Sequence, residues 1–139
     1  INNANEVAMS LSDKFCVERH KSHFLDLVKN KLDITFANED EIKSLINAKN
    51  FEEVINFAKE INKLLVITRG KKGAISIKGN NITEVGIINN LDVVDLTGAG
   101  DLFASGYLNG YLNNSDQKNC LENGTEMAAK IIQQIGARL

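Results

Sequence analysis

The sequence predicts an α/β protein in which helices cover a mostly parallel sheet that carries one inserted hairpin. Along the 139 residues, short continuous apolar runs alternate with segments whose apolar residues recur at helical spacing. Strands that alternate with helices in this way build parallel sheets. The apolar share of 43% is enough for one hydrophobic core, so we expect a single domain over residues 1–139.

The first half of the chain predicts two strands and three helices. Short apolar runs indicate the strands, and apolar residues at helical spacing indicate the helices. Asn38 is a favourable helix cap, and the acidic residues after it suit the positive end of the helix dipole. In chain order the predicted elements are strand Val7–Leu11, helix Val17–Asn30, strand Asp33–Ala37, helix Glu39–Ile46 and helix Phe51–Asn62.

The second half of the chain begins with the strongest strand signal. Leu64–Thr68 is a continuous apolar run of the kind found in strands that are buried on both faces, and Gly70 and Gly73 interrupt the pattern after it. Turn residues at positions 79–81 predict a hairpin. The remaining predicted elements are strands Ala74–Lys78 and Ile82–Ile87 and helices Ala99–Leu112 and Lys118–Ile135.

Composition and charge exclude several classes of protein. The net charge of −2 argues against a nucleic-acid binder, which usually carries a basic excess. No apolar run approaches the ~20 residues of a membrane helix, and Ile1–Ser10 lacks the pattern of a signal peptide. Cys16 and Cys120 match no metal or redox spacing and are expected to be incidental or buried thiols. We therefore expect a cytoplasmic protein without nucleic-acid or membrane partners.

The segment DLTGAGD, residues 95–101, carries the clearest chemical signal because it opens the helix predicted from Ala99. Small residues let a backbone approach a ligand closely, and the N–H groups at a helix start attract anions such as phosphate. Asp101 at this helix start could accept the proton of an attacking hydroxyl as a general base. The alternative is structural, because Gly-Ala-Gly is also a tight strand-to-helix turn and an aspartate there suits the helix dipole.

Val93–Asp101 resembles the C-terminal signature Asp-Thr-x-Gly-Ala-Gly-Asp of the ribokinase-like carbohydrate kinases, the PfkB family. The resemblance implies that Asp101 is the catalytic base and that the amides of residues 98–100 (Gly98, Ala99 and Gly100) form the anion hole for the phosphate transferred from ATP. The sequence departs from the signature at Leu96, where threonine is usual. This departure is expected to remove a local hydrogen bond and to leave catalysis intact.

Two further segments are similar to motifs of this family. Asn38–Glu41 fits its Asn-x-x-Glu motif, which implies that Asn38 and Glu41 help to place Mg²⁺ and phosphate. The structural alternative is a helix cap with a capping box. The second segment, residues 68–73, resembles the family's Thr-x-Gly-x-x-Gly turn and implies that Thr68, Gly70 and Gly73 belong to the ATP site.

The resemblance also implies which parts of the kinase are absent. Full members are longer, and their N-terminal part supplies the substrate contacts and the lid through which homodimers form. We therefore expect a ribokinase-like fold truncated at its N-terminus, with residues 1–139 as its ATP-binding, catalytic portion. Many members also bind a monovalent cation such as K⁺ near the anion hole, with Asp95 and the backbone near Thr97 and Gly136 as candidate ligands. A structural Asp95 that ends a strand is an equal alternative.

The resemblance favours a nucleoside acceptor over a free sugar. Leu11-Ser12-x-x-Phe15 is similar to a segment of adenosine-kinase-like members, and so is the ending Gly136-Ala137-Arg138. The expected activity is transfer of the γ-phosphate of ATP to a hydroxyl of an adenosine-like nucleoside. The alternatives are a fructokinase- or ribokinase-type sugar kinase, a nucleotide-binding remnant without catalysis, and a purely structural α/β module.

Overall fold

The computed structural model describes residues 4–138 and confirms the α/β architecture. Its sheet has five strands in the spatial order β1-β2-β3-β4-β5, and the first three are parallel. The strands are β1 (Ala8–Ser10), β2 (Ile34–Asn38), β3 (Leu64–Thr68), β4 (Ala74–Lys78) and β5 (Asn81–Val85). The helices are α1 (Lys14–Arg19), α2 (Lys21–Asp26), α3 (Glu39–Ile46), α4 (Phe51–Ile61), α5 (Ala99–Leu112) and α6 (Gln117–Ile131).

The predicted helix Val17–Asn30 is wrong in its limits and its continuity. It begins earlier, at Lys14, because the side chain of Asp13 accepts a hydrogen bond from the N–H of Phe15. The backbone leaves helical geometry at His20, which separates α1 from α2. A π-helical turn, Leu27–Lys31, then follows α2.

Two other predicted elements end too late. The last strand, predicted over Ile82–Ile87, is β5 and stops before Gly86. The last helix, predicted over Lys118–Ile135, is α6 and ends at Ile131. After it a tighter turn forms, with the N–H of Gln134 donating to the Ile131 carbonyl at 3.3 Å, and the Ile132 carbonyl accepts from the N–H groups of Val94 and Asp95.

The described chain forms two compact units. Residues 4–68 and 76–82 form the first, and residues 69–75 and 83–138 form the second. Apolar faces of β2, β3 and the surrounding helices build the core of the first unit, where fully burying one Leu or Ile side chain contributes about 1.5–3 kcal/mol. Its most buried residues include Leu11, Val17, Ile42, Leu45, Leu65 and Ile67.

The core of the second unit is the close contact between α5 and α6, which uses glycines on both helices. A Cβ added to Gly106 would lie 2.5 Å from the carbonyl oxygen of Asn123, and one added to Gly124 would lie 2.8 Å from that of Phe103. The two backbones therefore approach where no side chain intervenes. No helix among residues 4–138 combines the length and the apolar character needed to cross a bilayer.

Candidate active site

The carboxyl edge of the parallel sheet holds two of the predicted site residues side by side. Asn38 ends β2 and Thr68 ends β3, and their Cα atoms are partners in the strand register. Ligands of open α/β sheets bind outside the carboxyl ends of the strands. The first unit therefore presents the Asn-x-x-Glu segment and Thr68, the first residue of the Thr-x-Gly-x-x-Gly segment, at the edge where a ligand is expected.

Asn38 and Glu41 form a reciprocal capping box at the start of α3. The Asn38 side chain accepts from the N–H of Glu41 at 2.8 Å, and the N–H of Asn38 donates to Glu41 Oε2 at 2.9 Å. Asn38 Nδ2 also donates to Glu41 Oε1 at 2.8 Å. These contacts confirm the structural alternative for this pair, and they hold the Glu41 carboxylate in a fixed orientation at the sheet edge.

Glu41 is buried, and burial raises the pKa of its carboxyl above the ordinary glutamate value. The negative charges of Asp13 and Asp40 raise this pKa further, while the hydrogen bond from the Asn38 backbone opposes the rise. A carboxylate in this environment is stabilised by a nearby cation. The sheet edge thus offers one oriented negative group that would gain from a positive neighbour.

This edge fits Mg²⁺ only as an ion held mainly by other ligands. Within residues 4–138, no group of three or more His, Cys, Asp and Glu side chains is arranged to hold a metal. Mg²⁺ in phosphoryl-transfer sites usually keeps several waters and binds through one or two carboxylates plus substrate phosphates. Glu41 and Asn38 are therefore compatible with an indirect role toward Mg²⁺.

The turn after β3 has two glycines with different surroundings. Its backbone closes through bonds from Arg69 N–H to the Gly73 carbonyl at 2.8 Å and from Gly73 N–H to the Gly70 carbonyl at 3.0 Å. Gly73, at φ 83°, is required by the fold because an added Cβ would lie 1.9 Å from the carbonyl oxygen of Val85. Gly70, at φ 54°, faces open space. Only Gly70 therefore leaves room for a ligand beside the turn.

The start of α5 has the hydrogen-bonding pattern of an anion site. Gly98 is the N-cap, at φ 79°, and no side chain caps the helix. The N–H of Ala99 donates to the Leu96 carbonyl at 3.2 Å. Among residues 4–138, the N–H groups of Gly100 and Asp101 have no protein acceptor. These two donors are free to bind a phosphate oxygen.

The packing of residues 4–138 does not require a glycine at position 100. Gly100 lies in the first turn of α5, its φ is not positive, and an added Cβ would meet no atom of these residues within 4 Å apart from the backbone of its own helix. Alanine would favour the helix here by roughly 0.5–1 kcal/mol. A ligand that approaches the backbone closely would explain why glycine stands at this position.

The side chain of Asp101 is exposed and makes no hydrogen bond or ion pair with the described residues. It stands three residues after the N-cap Gly98, and within the described part of the chain it has neither a hydrogen-bond nor an ion-pair partner. A capping box does not form because Gly98 has no side chain with which to reciprocate. The carboxylate is therefore available to a substrate hydroxyl at the same helix turn as the free amides.

The Asp95 carboxylate accepts hydrogen bonds from two segments of the second unit, the loop before α5 and the C-terminal residues. Its Oδ1 accepts from the N–H of Thr97 at 2.9 Å and from the Thr97 hydroxyl at 2.7 Å, and its Oδ2 accepts from the N–H of Gly136 at 3.0 Å. These hydrogen bonds, led by those from Thr97, lower the pKa of the Asp95 carboxyl. Asp95 lies in an irregular segment and not at the end of a strand, so that structural alternative is wrong in its detail.

The predicted site residues thus form two groups in different units. Asn38, Glu41 and Thr68 share the sheet edge of the first unit. The second unit contains the turn glycines Gly70 and Gly73, the loop residue Asp95, and the helix start formed by Gly98, Ala99, Gly100 and Asp101. The exposed side chain of Leu96 makes its departure from the family signature harmless to packing.

Sequence reasoning did not predict a cavity of about 280 Å³ in the second unit. Its walls combine residues 85–88, from the last residue of β5 onward, with Glu122, Thr125 and Glu126 of α6. The hydroxyl of Thr125 donates to the Leu121 carbonyl at 2.8 Å, which leaves its oxygen lone pairs as acceptors. The spacing of Glu122, Thr125 and Glu126, three and four residues apart, predicts that they share one face of a helix. The residues after β5 that face them have no regular pattern, so the sequence could not predict the second wall of the cavity.

Comparison with known proteins places this geometry in a family. The model of the pfkB family carbohydrate kinases matches residues 1–139. The chain belongs to the pfkB family. The predicted resemblance is therefore confirmed over the whole chain, and the ribokinase-like α/β fold is confirmed with it.

Solved structures of a probable sugar kinase and of an adenosine kinase share this fold closely. A probable sugar kinase from Rhizobium etli CFN 42 is 43% identical with a TM-score of 0.93, over 99% of this chain and 42% of that one. The adenosine kinase from Sinorhizobium meliloti is 38% identical with a TM-score of 0.92, over 96% of this chain and 41% of that one. The fold of residues 4–138 is thus that of a portion of these pfkB proteins.

Curated pfkB relatives include nucleoside kinases. A cytidine kinase from Thermococcus kodakarensis is 31% identical over 78% of this chain, which spans 40% of that protein. An adenosine kinase from Dictyostelium discoideum is 31% identical over 82% of this chain, which spans 38% of that protein. The chain thus spans about two fifths of the length of the relatives that it matches.

Proposed function

We propose that this pfkB chain is the ATP-side, catalytic portion of a kinase that transfers the γ-phosphate of ATP to a hydroxyl of a nucleoside. The observation that carries the proposal is the start of α5, where Gly100 lies in open space and the N–H groups of Gly100 and Asp101 lack acceptors within the described chain. The fold alone does not need this combination, whereas a phosphate would use all of it.

In the proposed reaction, the acceptor oxygen attacks the γ-phosphorus of ATP, the bond from that phosphorus to the β-phosphate oxygen breaks, and ADP leaves. Asp101 takes the proton from the acceptor hydroxyl, since its carboxylate is exposed and unpartnered among residues 4–138. The free N–H groups of Gly100, the last residue of the anion loop Gly98–Gly100, and of Asp101 stabilise charge on the transferred group. One such preorganised donor can lower a barrier by about 3 kcal/mol.

The remaining site residues are proposed to bind the nucleotide and its metal. Thr68 and Gly70 line the ATP phosphates, with Gly73 fixing the turn, and Asn38 with Glu41 orient the hydration shell of Mg²⁺. Mg²⁺ supplies neutralisation of the phosphate charges in this chemistry. The cavity beside Thr125 has apolar walls at Ile87 and Ile88 and polar groups on α6, which suits the base of the nucleotide.

Three finer expectations remain proposals. The nucleoside acceptor is supported by an adenosine kinase at 38% identity, and a sugar acceptor by a probable sugar kinase at 43% identity. K⁺ binding at Asp95 and dimerisation through further chain rest on the resemblance alone. A nucleotide-binding portion without catalysis is the second functional class, since the chain spans about 40% of its relatives.

The test of this proposal is a coupled phosphotransfer assay on the protein encoded by the complete reading frame that contains this chain. Adenosine, cytidine, ribose and fructose are offered in turn. Turnover with a nucleoside supports the proposal, and turnover with a free sugar alone keeps the reaction but replaces the acceptor. ATP binding without product from any acceptor would favour the non-catalytic class.

The matched variants are Asp101→Asn and Asp116→Asn. Asp101→Asn removes the proposed base and is expected to lower kcat by about 10²–10⁴-fold. Asp116 is the N-cap of α6 in the same unit, and asparagine caps a helix equally well. Asp116→Asn should therefore keep wild-type turnover. Equal activity of the two variants would exclude Asp101 as the base.

A further inference from the structure

The anion loop Gly98–Gly100 follows a segment that has no regular structure. No helix or strand is present between Val85 and Ala99, and Val93 and Val94 are exposed, at 58% and 56% of their residue surface. A loop of this kind does not fix the direction of its own amides. Within the second unit, contacts with another segment hold it in position.

Those contacts come from the C-terminal tail, residues 132–138. The carbonyl of Ile132 accepts from the N–H of Val94 at 2.7 Å and from that of Asp95 at 3.2 Å. Asp95 Oδ2 accepts from the N–H of Gly136 at 3.0 Å, while its Oδ1 holds Thr97. A single carboxylate thereby joins the C-terminal tail to the turn that leads into the anion loop.

The C-terminal tail also packs directly against the first residue of the anion loop. A Cβ added to Gly98 would lie 2.8 Å from the Cβ of Ala137 and 3.2 Å from its Cα. Gly98 is the N-cap of α5, and its carbonyl accepts from the N–H of Leu102 at 2.9 Å. The C-terminal tail thus contacts the loop on both sides of Thr97, at Asp95 and at Gly98.

We propose that the C-terminal tail is the element that positions the anion loop, with Asp95 as the positioning residue that links the two. The proposal rests on the proposed function, because it concerns the orientation of the N–H groups that are proposed to bind the phosphate. It assigns the Asp95 carboxylate a protein partner, the Gly136 N–H, in addition to the local Thr97 bonds. Asp95 acts through the anion loop and does not itself touch the substrate.

The decisive variant is Asp95→Asn. Its amide oxygen can still accept from Thr97, but its NH₂ group would then face the Gly136 N–H, so the bond to the C-terminal tail is lost selectively. The matched control is Gln133→Ala, because among the described residues the Gln133 side chain donates to the Ala129 carbonyl, at 2.9 Å, and has no hydrogen bond to the loop. Both variants remove one hydrogen bond that involves the C-terminal tail.

Two measurements are made on the protein from the complete reading frame. The first is steady-state kinetics. Asp95→Asn should lower kcat by about 10–100-fold with KM for the acceptor changed less than about threefold, because a displacement near 1 Å at a reacting group costs up to about 10²-fold. Gln133→Ala should stay within about twofold of the wild-type kcat.

The second measurement is amide hydrogen exchange at Ala99 and Leu102, whose bonds to Leu96 and Gly98 close the first turn of α5. Asp95→Asn should accelerate exchange at both amides by about tenfold or more, and Gln133→Ala should not. Exchange decides the positioning proposal even where the wild-type protein shows no kinase activity, which would refute the proposed function alone. Wild-type exchange at these amides in Asp95→Asn, or equal effects of the two variants, would overturn the positioning role.

Discussion

The substitution Gly100→Ala is expected to change stability and activity in opposite directions, which distinguishes a glycine required by the fold from one required by a bound phosphate. Gly100 lies in the first turn of α5 with a φ that alanine adopts freely, and its added methyl group would meet no protein atom within 4 Å. Replacing glycine by alanine at such a site stabilises a protein by about 0.4–1 kcal/mol, chiefly by restricting the unfolded chain. We therefore expect Gly100→Ala to raise the melting temperature.

The same methyl group would project into the space that the proposed phosphate occupies. Displacing the phosphate by about 1 Å can lower turnover by about 10²-fold. Gly100→Ala should thus be more stable and much less active than the wild type. This combination is unusual, since most substitutions that reduce activity through the fold also reduce stability.

The assay combines a thermal melt with coupled measurement of ADP release, both on the protein from the complete reading frame. Ser105→Ala is the matched control, because Ser105 is an exposed position further along α5 where alanine also favours the helix. It should gain stability without loss of turnover. Wild-type kcat/KM in Gly100→Ala would refute the anion-hole assignment, and a lowered melting temperature would show that the fold itself requires this glycine.

Two further predictions concern stability. Gly106→Ala should lower the free energy of unfolding by about 1–3 kcal/mol in a denaturant titration, because its Cβ would lie 2.5 Å from the Asn123 carbonyl oxygen; a neutral result would show that α5 and α6 separate easily. The raised pKa of Glu41 means that folding favours its protonated form, so its contribution to stability is full below the unfolded pKa and is lost as the pH rises through the folded pKa. Glu41→Gln should therefore remove a stability decrease above about pH 4.3, which denaturant midpoints over this range would detect; identical pH profiles would contradict the burial argument.

Strong local signals explain which elements could be predicted. β3, β4, α3 and α5 have their predicted bounds, because a continuous apolar run, a capping residue or a glycine turn marks each boundary. The break at His20 carries no such signal, since neither glycine nor proline stands there. The end of α6 at Ile131 also lacks such a signal, because apolar residues continue to Ile135 and the first glycine after the helix is Gly136.

The site shows the same division between local and distant information. The motifs could be located from the sequence, whereas the register that pairs Asn38 with Thr68 is an observation of the structure. The bond between Asp95 and Gly136 spans 41 residues and joins two irregular segments, so no periodicity could predict it. The distant contacts are those that hold the anion loop in place.

Gly98 and Gly100 are two positions apart in one motif, and the sequence gives no reason to distinguish them. The structure does, because Gly98 has a φ of 79° and packs against Ala137, whereas Gly100 has an ordinary helical backbone in open space. The packing of the described residues therefore requires a glycine at position 98, and it does not require one at position 100. A ligand-dependent constraint at Gly100 is consistent with free N–H groups at Gly100 and Asp101 and with an unpartnered Asp101 carboxylate within residues 4–138. Three independent features of one helix turn thus favour the same bound group, a phosphate beside a hydroxyl that must lose its proton.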